Sequence, residues 1–217
     1  MEYNVNRISE KHDFFIYGVS YAGKPRSNTM MFITKKVQSL LDNLHEVREC
    51  LIFLEKGIDV PKDILRENCV VFCTNPQLSY ANCASELEKE EQFSEKLQLT
   101  DGGYFLGKNV IIGENAYIEP NVVIGTGCVI GDNARVLSGT VIKNAVIGNN
   151  FLANEHAVIG SNGFTMAEDE SGNKIRIPSL GKVIIKDNVE IGVFDNISRG
   201  SAGDTIIENG VKIDALV

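Results

Sequence analysis

The sequence predicts a mainly β protein: a left-handed parallel β-helix of six-residue repeats over residues 101–217, preceded by a small α/β domain over residues 1–100. Three observations predict it. An aliphatic residue returns at every sixth position from Ile112, and a compact residue stands four places after most of these. The first hundred residues lack that period and instead alternate short apolar runs with helix-like segments.

The repeat runs through Ile112, Ile118, Ile124, Ile130, Val136 and Ile142, with Ala116, Val122, Cys128, Ala134 and Thr140 as the compact companions. One unit is a residue short, because Ile147 follows Ile142 after five steps; the register then resumes through Ala153 and Ile159. It returns at Ile185, Ile191 and Ile197, and again at Ile207 and Ile213. A period of six suits neither an amphipathic helix nor an alternating hairpin strand. It suits a prism whose faces are each one short strand and a turn, with the aliphatic side chain aimed at the axis. Asn and Gly recur where corners fall (Asn115, Gly127, Asn133, Asn150, Asn188), and both tolerate the left-handed backbone that a tight corner demands. Known coils of this period wind left-handed, an exception to the usual crossover rule.

Two breaks interrupt the coil: Phe164–Leu180, charged and carrying Pro178, and Ser198–Thr205. A solenoid accepts insertions only as surface loops, and such loops commonly carry function. Spacing alone leaves two readings open, walls of a ligand cleft or tolerated excursions.

In the first hundred residues, Phe14–Val19, Thr29–Thr34, Cys50–Leu54 and Cys69–Cys73 read as strands by their aliphatic and aromatic runs. Lys36–Leu44 and Leu78–Phe93 read as helices, the second opened by Asn75-Pro76. The polar stretch Glu88–Gly103 reads as a helix end and a linker.

Composition narrows the function classes. The 21 basic and 29 acidic residues leave a formal charge of −8, which argues against a nucleic-acid partner, since such proteins usually show a basic stripe. No apolar run approaches the length of a membrane span, and the polar N-terminus shows no signal peptide, so a cytoplasmic location is expected. The five cysteines are scattered without a C-x-x-C pair and read as buried small hydrophobes, with no metal site expected. Of the three histidines, His12 and His45 read as structural or incidental. His156 falls at an outward corner, a solvated residue first and a general-base candidate second. No Ser-His-Asp, H-E-x-x-H or P-loop pattern is present.

The run His156–Asp214 resembles the UDP-3-O-acylglucosamine N-acyltransferase family of lipid A biosynthesis. The elements that carry the resemblance are Gly160–Phe164 (GSNGF), Ile177–Gly181 (IPSLG), Val183–Gly192 (VIIKDNVEIG), Ser198–Thr205 (SRGSAGDT) and Gly210–Asp214 (GVKID), in the family's order and spacing. More loosely, Phe32–Lys36 and the run VVFCTNPQLSYA resemble the family's small nucleotide-binding domain.

The resemblance implies a homotrimer with active sites between neighbouring coils. It implies transfer of an acyl group from a phosphopantetheine thioester, on acyl carrier protein or CoA as co-substrate, to the amine of a UDP-linked amino sugar, with no bound cofactor. By motif position, Phe32 faces the base, Asn162 and Phe164 contact the sugar, Arg199 meets a phosphate, and Asp214 orients the amine or the base. The family's clamp on the base has the form F-x-x-N-x-x-Y; here Lys35 and Gln38 take its second and third positions. Lys174 and Arg176 are expected as solvated loop charges. The family's catalytic histidine would fall about four residues past Val217 on the six-residue period. The expectation is therefore a chain that holds no catalytic base of its own and belongs to a longer parent. An acetyl-CoA-dependent N-acetyltransferase and a non-catalytic trimeric scaffold are the alternatives.

Overall fold

A computed structural model of the chain describes residues 2–91 and 96–217. It is mainly β, rich in parallel strands, and its packing forms two units. One holds the chain through the helix Pro76–Glu91 together with Phe164–Leu180 and Ser201–Gly203; the other holds the coils.

The coils form three stacked parallel sheets, which the chain visits in rotation. The first face holds Phe105–Leu106, Val123–Ile124, Val141–Ile142, Val158–Asn162 and Asn196–Arg199. The second holds Ile111–Ile112, Val129–Ile130, Ala145–Ile147, Val183–Ile185 and Thr205–Ile207, and the third Tyr117–Ile118, Arg135–Val136, Leu152–Ala153 and Glu190–Ile191. Most strands are only two residues long, and each aliphatic repeat position from Ile112 to Ile207 is the strand residue that turns inward. Ile124, Val136, Ile142, Ala153, Ile159 and Ile191 are fully buried, with Val122, Cys128, Ala134, Phe151 and Ala157 packed beside them. Hydrogen bonds run from coil to coil, as from Val123 N to Thr140 O (3.0 Å) and from Gly125 N to Ile142 O (2.7 Å). The strand Gln98–Leu99, unforeseen from sequence, pairs antiparallel with Phe105–Leu106 and covers the first open edge.

Every corner proposed from sequence has left-handed backbone: Asn115, Gly127, Asn133, Asn150 and Asn188 lie between φ 54° and 70°. Asn115, Asn133, Asn150 and Asn188 also form a ladder in which each amide donates to the Oδ1 of the next coil's Asn (3.4, 3.2 and 3.1 Å). A second ladder runs beside it, with Asp132, Asn149, Asp187 and Asn209 accepting from the backbone of the preceding coil. The unit that is one residue short is taken up at a corner, where Asn144 (φ 48°) follows Gly139.

In the other unit, Gly18–Val19, Thr29–Ile33, Leu51–Glu55 and Cys69–Cys73 form a four-stranded parallel sheet in that order. Met30, Leu51 and Phe53 face one apolar cluster while Met31, Ile52 and Leu54 face another. A strand covered on both faces reads as an unbroken apolar run, which is why TMMFI and LIFLE show no alternation. The long helix begins at Pro76, not Leu78, because Asn75 Oδ1 accepts from Leu78 N (3.0 Å) and Pro suits the first helical turn. The end expected at Phe93 lies outside the described residues.

Several expectations need correcting. Phe14–Val19 is two short strands, Phe15–Ile16 and Gly18–Val19, because Tyr17 N bonds Asn28 O between them and each strand finds a different partner. The helix near Lys36 is a 3₁₀ segment, Lys35–Leu44, whose backbone leaves the helical region at Val37 (φ −126°, ψ 26°). A short helix, Lys62–Glu67, was not foreseen. The break after Gly163 is not plain loop: Met166–Glu168 and Lys174–Arg176 pair as an antiparallel hairpin, with Ala167 and Ile177 buried in the cluster that holds Tyr80.

Candidate functional site

The first candidate lies at the carboxyl ends of the parallel strands, where open α/β sheets usually receive ligands. Residues at or just past the end of each strand line a cavity of about 650 Å³: Ser20, Tyr21 and Ala22, then Phe32, Thr34, Lys35 and Lys36, then Glu55, then Gln77. Val37, Leu40 and Ala202 complete it. That volume lies within the range of small-molecule sites. Phe32 is half-buried, its ring tilted against Tyr80 with centroids 5.2 Å apart. Burial pushes the Tyr80 phenol well above its ordinary value, so it stays protonated and donates to Ser201 O (2.7 Å). One buried phenol therefore holds both Phe32 and the segment bearing Ala202.

The charged rim has its own order. Lys35 N donates to Glu55 Oε2 (2.8 Å), and Lys35 Nζ lies 3.9 Å from Glu55 Oε1. Gln38 is not among the lining residues; it borders a second hollow with Asp42, Asp59 and Lys62.

The second candidate lies in the coils, where Val158–Asn162 runs beside Asn196–Arg199. Pairing shifts register after Ile159, so Ser161 faces Ser198 and Asn162 faces Arg199. Gly160 makes the shift possible. It has φ 84°, and a Cβ there would come within 1.6 Å of Lys143 O. Arg199 is nearly buried and donates from Nε to Asn162 Oδ1 (3.0 Å). Ser161 Oγ donates to Asn196 Oδ1 (2.7 Å) and lies 3.1 Å from Ser198 Oγ; Thr205 Oγ1 donates to Ser198 O (2.7 Å). The result is a pre-ordered polar patch beside a guanidinium, suited to an oxyanion or a hydroxylated ligand.

The remaining candidates stand apart. Phe164 is 82% exposed, with the Arg176 guanidinium 5.0 Å from its ring centroid. Lys174, also exposed, pairs with Glu168. At the hairpin tip, Asp169 accepts from the Asn173 side chain and from the backbone of Asn173 and Ser171, which holds its carboxyl below the usual range. Asp214 is exposed, and its Oδ1 accepts from Ala215 N. His156 is exposed at a left-handed corner (φ 60°), stacked on Phe194 of the next coil with centroids 5.0 Å apart and planes 5° from parallel.

Sequence reasoning singled out Phe32, Asn162 and Arg199 but missed Tyr21, Gln77 and Glu55. Their only signal was position: each follows closely on an apolar run.

Comparison with known proteins bears on the coils first. The bacterial transferase hexapeptide (six repeats) family matches residues 109–144. The chain is 47% identical over 78 residues to a UDP-3-O-acylglucosamine N-acyltransferase of Coxiella burnetii (strain RSA 493 / Nine Mile phase I), covering 36% of this chain and 23% of that protein. The enzyme of the same name from Rhizobium meliloti (strain 1021) is 45% identical over 82 residues, covering 38% of this chain and 23% of that protein. That from Methylorubrum extorquens is 42% identical over 80 residues, covering 37% of this chain and 22% of that protein. The resemblance to these N-acyltransferases thus stands at family level. The chain matches less than a quarter of the length of these relatives.

Proposed function

We propose that this chain carries the substrate-binding platform of an N-acyltransferase acting on a UDP-linked amino sugar. Its similarity to UDP-3-O-acylglucosamine N-acyltransferases is the observation that carries the reading. In that reaction the sugar amine attacks the thioester carbonyl; the C–N bond forms, the C–S bond breaks, and the departing thiolate takes up a proton. The donor is a phosphopantetheine thioester, on acyl carrier protein or CoA. The base that removes the amine proton is not assigned to any residue here. Phe32 receives the nucleotide base, consistent with its place in a cavity at the strand ends. Arg199, oriented by Asn162, meets a phosphate oxygen; Asn162 and Phe164 contact the sugar, and Asp214 orients the amine or the base.

The same reading includes left-handed coils, a small α/β domain over residues 1–100 with the coils beyond it, a cytoplasmic setting and a homotrimer. The coil surface supports the trimer. Ile111, Val129, Val146, Ile184 and Ile206 form an outward aliphatic row on the second face, and Phe105, Val123, Val141 and Val158 another on the first, all half-buried or exposed. Contiguous outward rows of this kind mark protein contacts. The third face instead shows Tyr117, Arg135, Leu152 and Glu190.

Calorimetric titration with UDP-N-acetylglucosamine tests the platform. We expect saturable binding that Phe32→Ala and Arg199→Ala each weaken by about tenfold or more. Undetectable binding at millimolar ligand would overturn the reading.

A further inference from the structure

We infer that the outer edge of the strand Cys69–Cys73 is a self-association surface, which pairs antiparallel with the same strand of a second copy of this chain. This strand ends the four-stranded sheet, with Leu51–Glu55 as its neighbour. Cys69 N bonds Cys50 O (2.9 Å) and Lys56 N bonds Cys73 O (2.9 Å), so the odd-numbered positions address that neighbour. The N–H and C=O of Val70 and Phe72 therefore point off the sheet, and among the described residues they meet no partner. The run CVVFC has no charge, no proline and no bulge, the devices by which natural edges avoid pairing. The sheet's other end is guarded: Gly18–Val19 is two residues long, and Arg26 Nη2 donates to Val19 O (2.9 Å).

The strand's register selects a second copy as the occupant. With two such strands antiparallel and Val71 on the two-fold axis, Val70 of each falls opposite Phe72 of the other. An antiparallel pair of that kind exchanges both of its N–H···O bonds. The outward donors and acceptors of Val70 and Phe72 are then all satisfied, with none left over. The side chains agree. Val70 and Phe72 project from one face of the strand; Val70 packs against the cluster holding Ile52 and Leu54, whereas Phe72 is 45% exposed. Pairing lays each exposed Phe72 beside a β-branched Val70 of the other copy, a favourable cross-strand combination. Charge does not oppose the approach, because the same register sets Glu67 opposite Asn75, and no like charges meet. A two-fold contact also consumes the edge it uses, so pairing along it stops at two copies. The contact is small, and a weak, concentration-dependent pair is expected.

The test traps the pair at its axis. Position 71 lies opposite itself in a non-hydrogen-bonded pair, where Cα atoms approach to about 4.5 Å, within disulfide reach. The full chain carrying Val71→Cys and Cys73→Ser is oxidised with diamide, which takes up the two thiol hydrogens. Linked species are read on a non-reducing gel and located by peptide mass. Tyr17→Cys with Cys73→Ser, exposed at the sheet's other edge, measures chance collision. We expect linkage through position 71 to form at least about tenfold faster than through position 17. Val70→Pro, which removes an outward donor from each copy, and Phe72→Lys should each slow it by about tenfold with circular dichroism unchanged. Association through the coils does not by itself produce a link at position 71. Linkage there no faster than at position 17, or unmoved by both Val70→Pro and Phe72→Lys, overturns the pairing.

Discussion

The coils and the strand-end cavity are built on opposite plans. In the coils a residue's task follows from its place in a six-residue period: inward aliphatic, compact companion, left-handed corner. In the cavity, neighbours come from four separate strand ends, and no spacing in the chain links Tyr21, Phe32, Glu55 and Gln77. A periodic structure spreads its stability over many equivalent contacts, so it is sensitive to a violated rule anywhere. A gathered site depends on a few side chains whose loss leaves the fold standing. Mutations should separate the two plans cleanly.

The largest effect is expected at Gly160. Gly160→Ala forces a methyl group onto Lys143 O and strains a left-handed backbone, so we expect a loss of about 4 kcal/mol or more in urea unfolding. A loss below about 1 kcal/mol would show that the register shift beside Ser161 is soft. Next comes Ile142→Ala, in the buried aliphatic column. Denaturant titration should give about 2–5 kcal/mol of destabilisation, whereas Ile184→Ala on the outward row should leave the unfolding midpoint of the monomer nearly unchanged. Equal losses at the two would break the inward–outward distinction.

Smaller still is Asn133→Ala. It removes rungs to Asn115 and Asn150 and puts Ala at φ 56°, which should cost about 1–2 kcal/mol, and Asn133→Gly should recover part of that. On the other side of the comparison, thiol labelling should read burial directly. Cys50, Cys69, Cys83 and Cys128 are buried, and burial raises the pKa of Cys50 and Cys69 and pushes Cys83 up to about 11. At pH 8 an alkylating reagent should therefore modify Cys73 first, read as one added mass; first labelling at Cys83 would contradict its packing.

The smallest effect concerns His45 and Asp63, whose Nδ1 and Oδ2 lie 2.5 Å apart on the exposed side of the first unit. The histidine hydrogen bond holds Asp63 below its ordinary 3.8. A depressed carboxylate contributes stability that is present above the unfolded pKa and lost as pH falls through the folded one. His45→Ala should thus flatten the acid limb below about pH 4 by lowering the neutral plateau slightly, the two curves converging in acid; for an exposed pair that neutral loss is small. A large loss at pH 7 would show that the contact is more than a surface pair.

The buried column and the corners at Asn115, Gly127, Asn133, Asn150 and Asn188 were legible in the sequence. So were the positions of the element around Asn162 and of the break holding Arg199. The hydrogen bond from Arg199 to Asn162 was not, because it depends on a register shift that only stacked coils define. The hairpin inside Phe164–Leu180 escaped notice for a similar reason. Its apolar members, Ala167 and Ile177, are few, and they find their partner in a helix some ninety residues earlier.

By itself, then, the sequence determined the coil: its period, its inward face, its corners and the sites of its interruptions. Each of these is a local rule that one coil applies to the next, so reading along the chain is enough to recover it. Tertiary structure alone decided the cavity. Tyr21 stands eleven positions from Phe32 in the chain and shares a cavity with it only when two parallel strands pair. The apolar runs announce that such strands exist; which strand ends become neighbours is settled by sheet order, and no residue type in the sequence encodes that order.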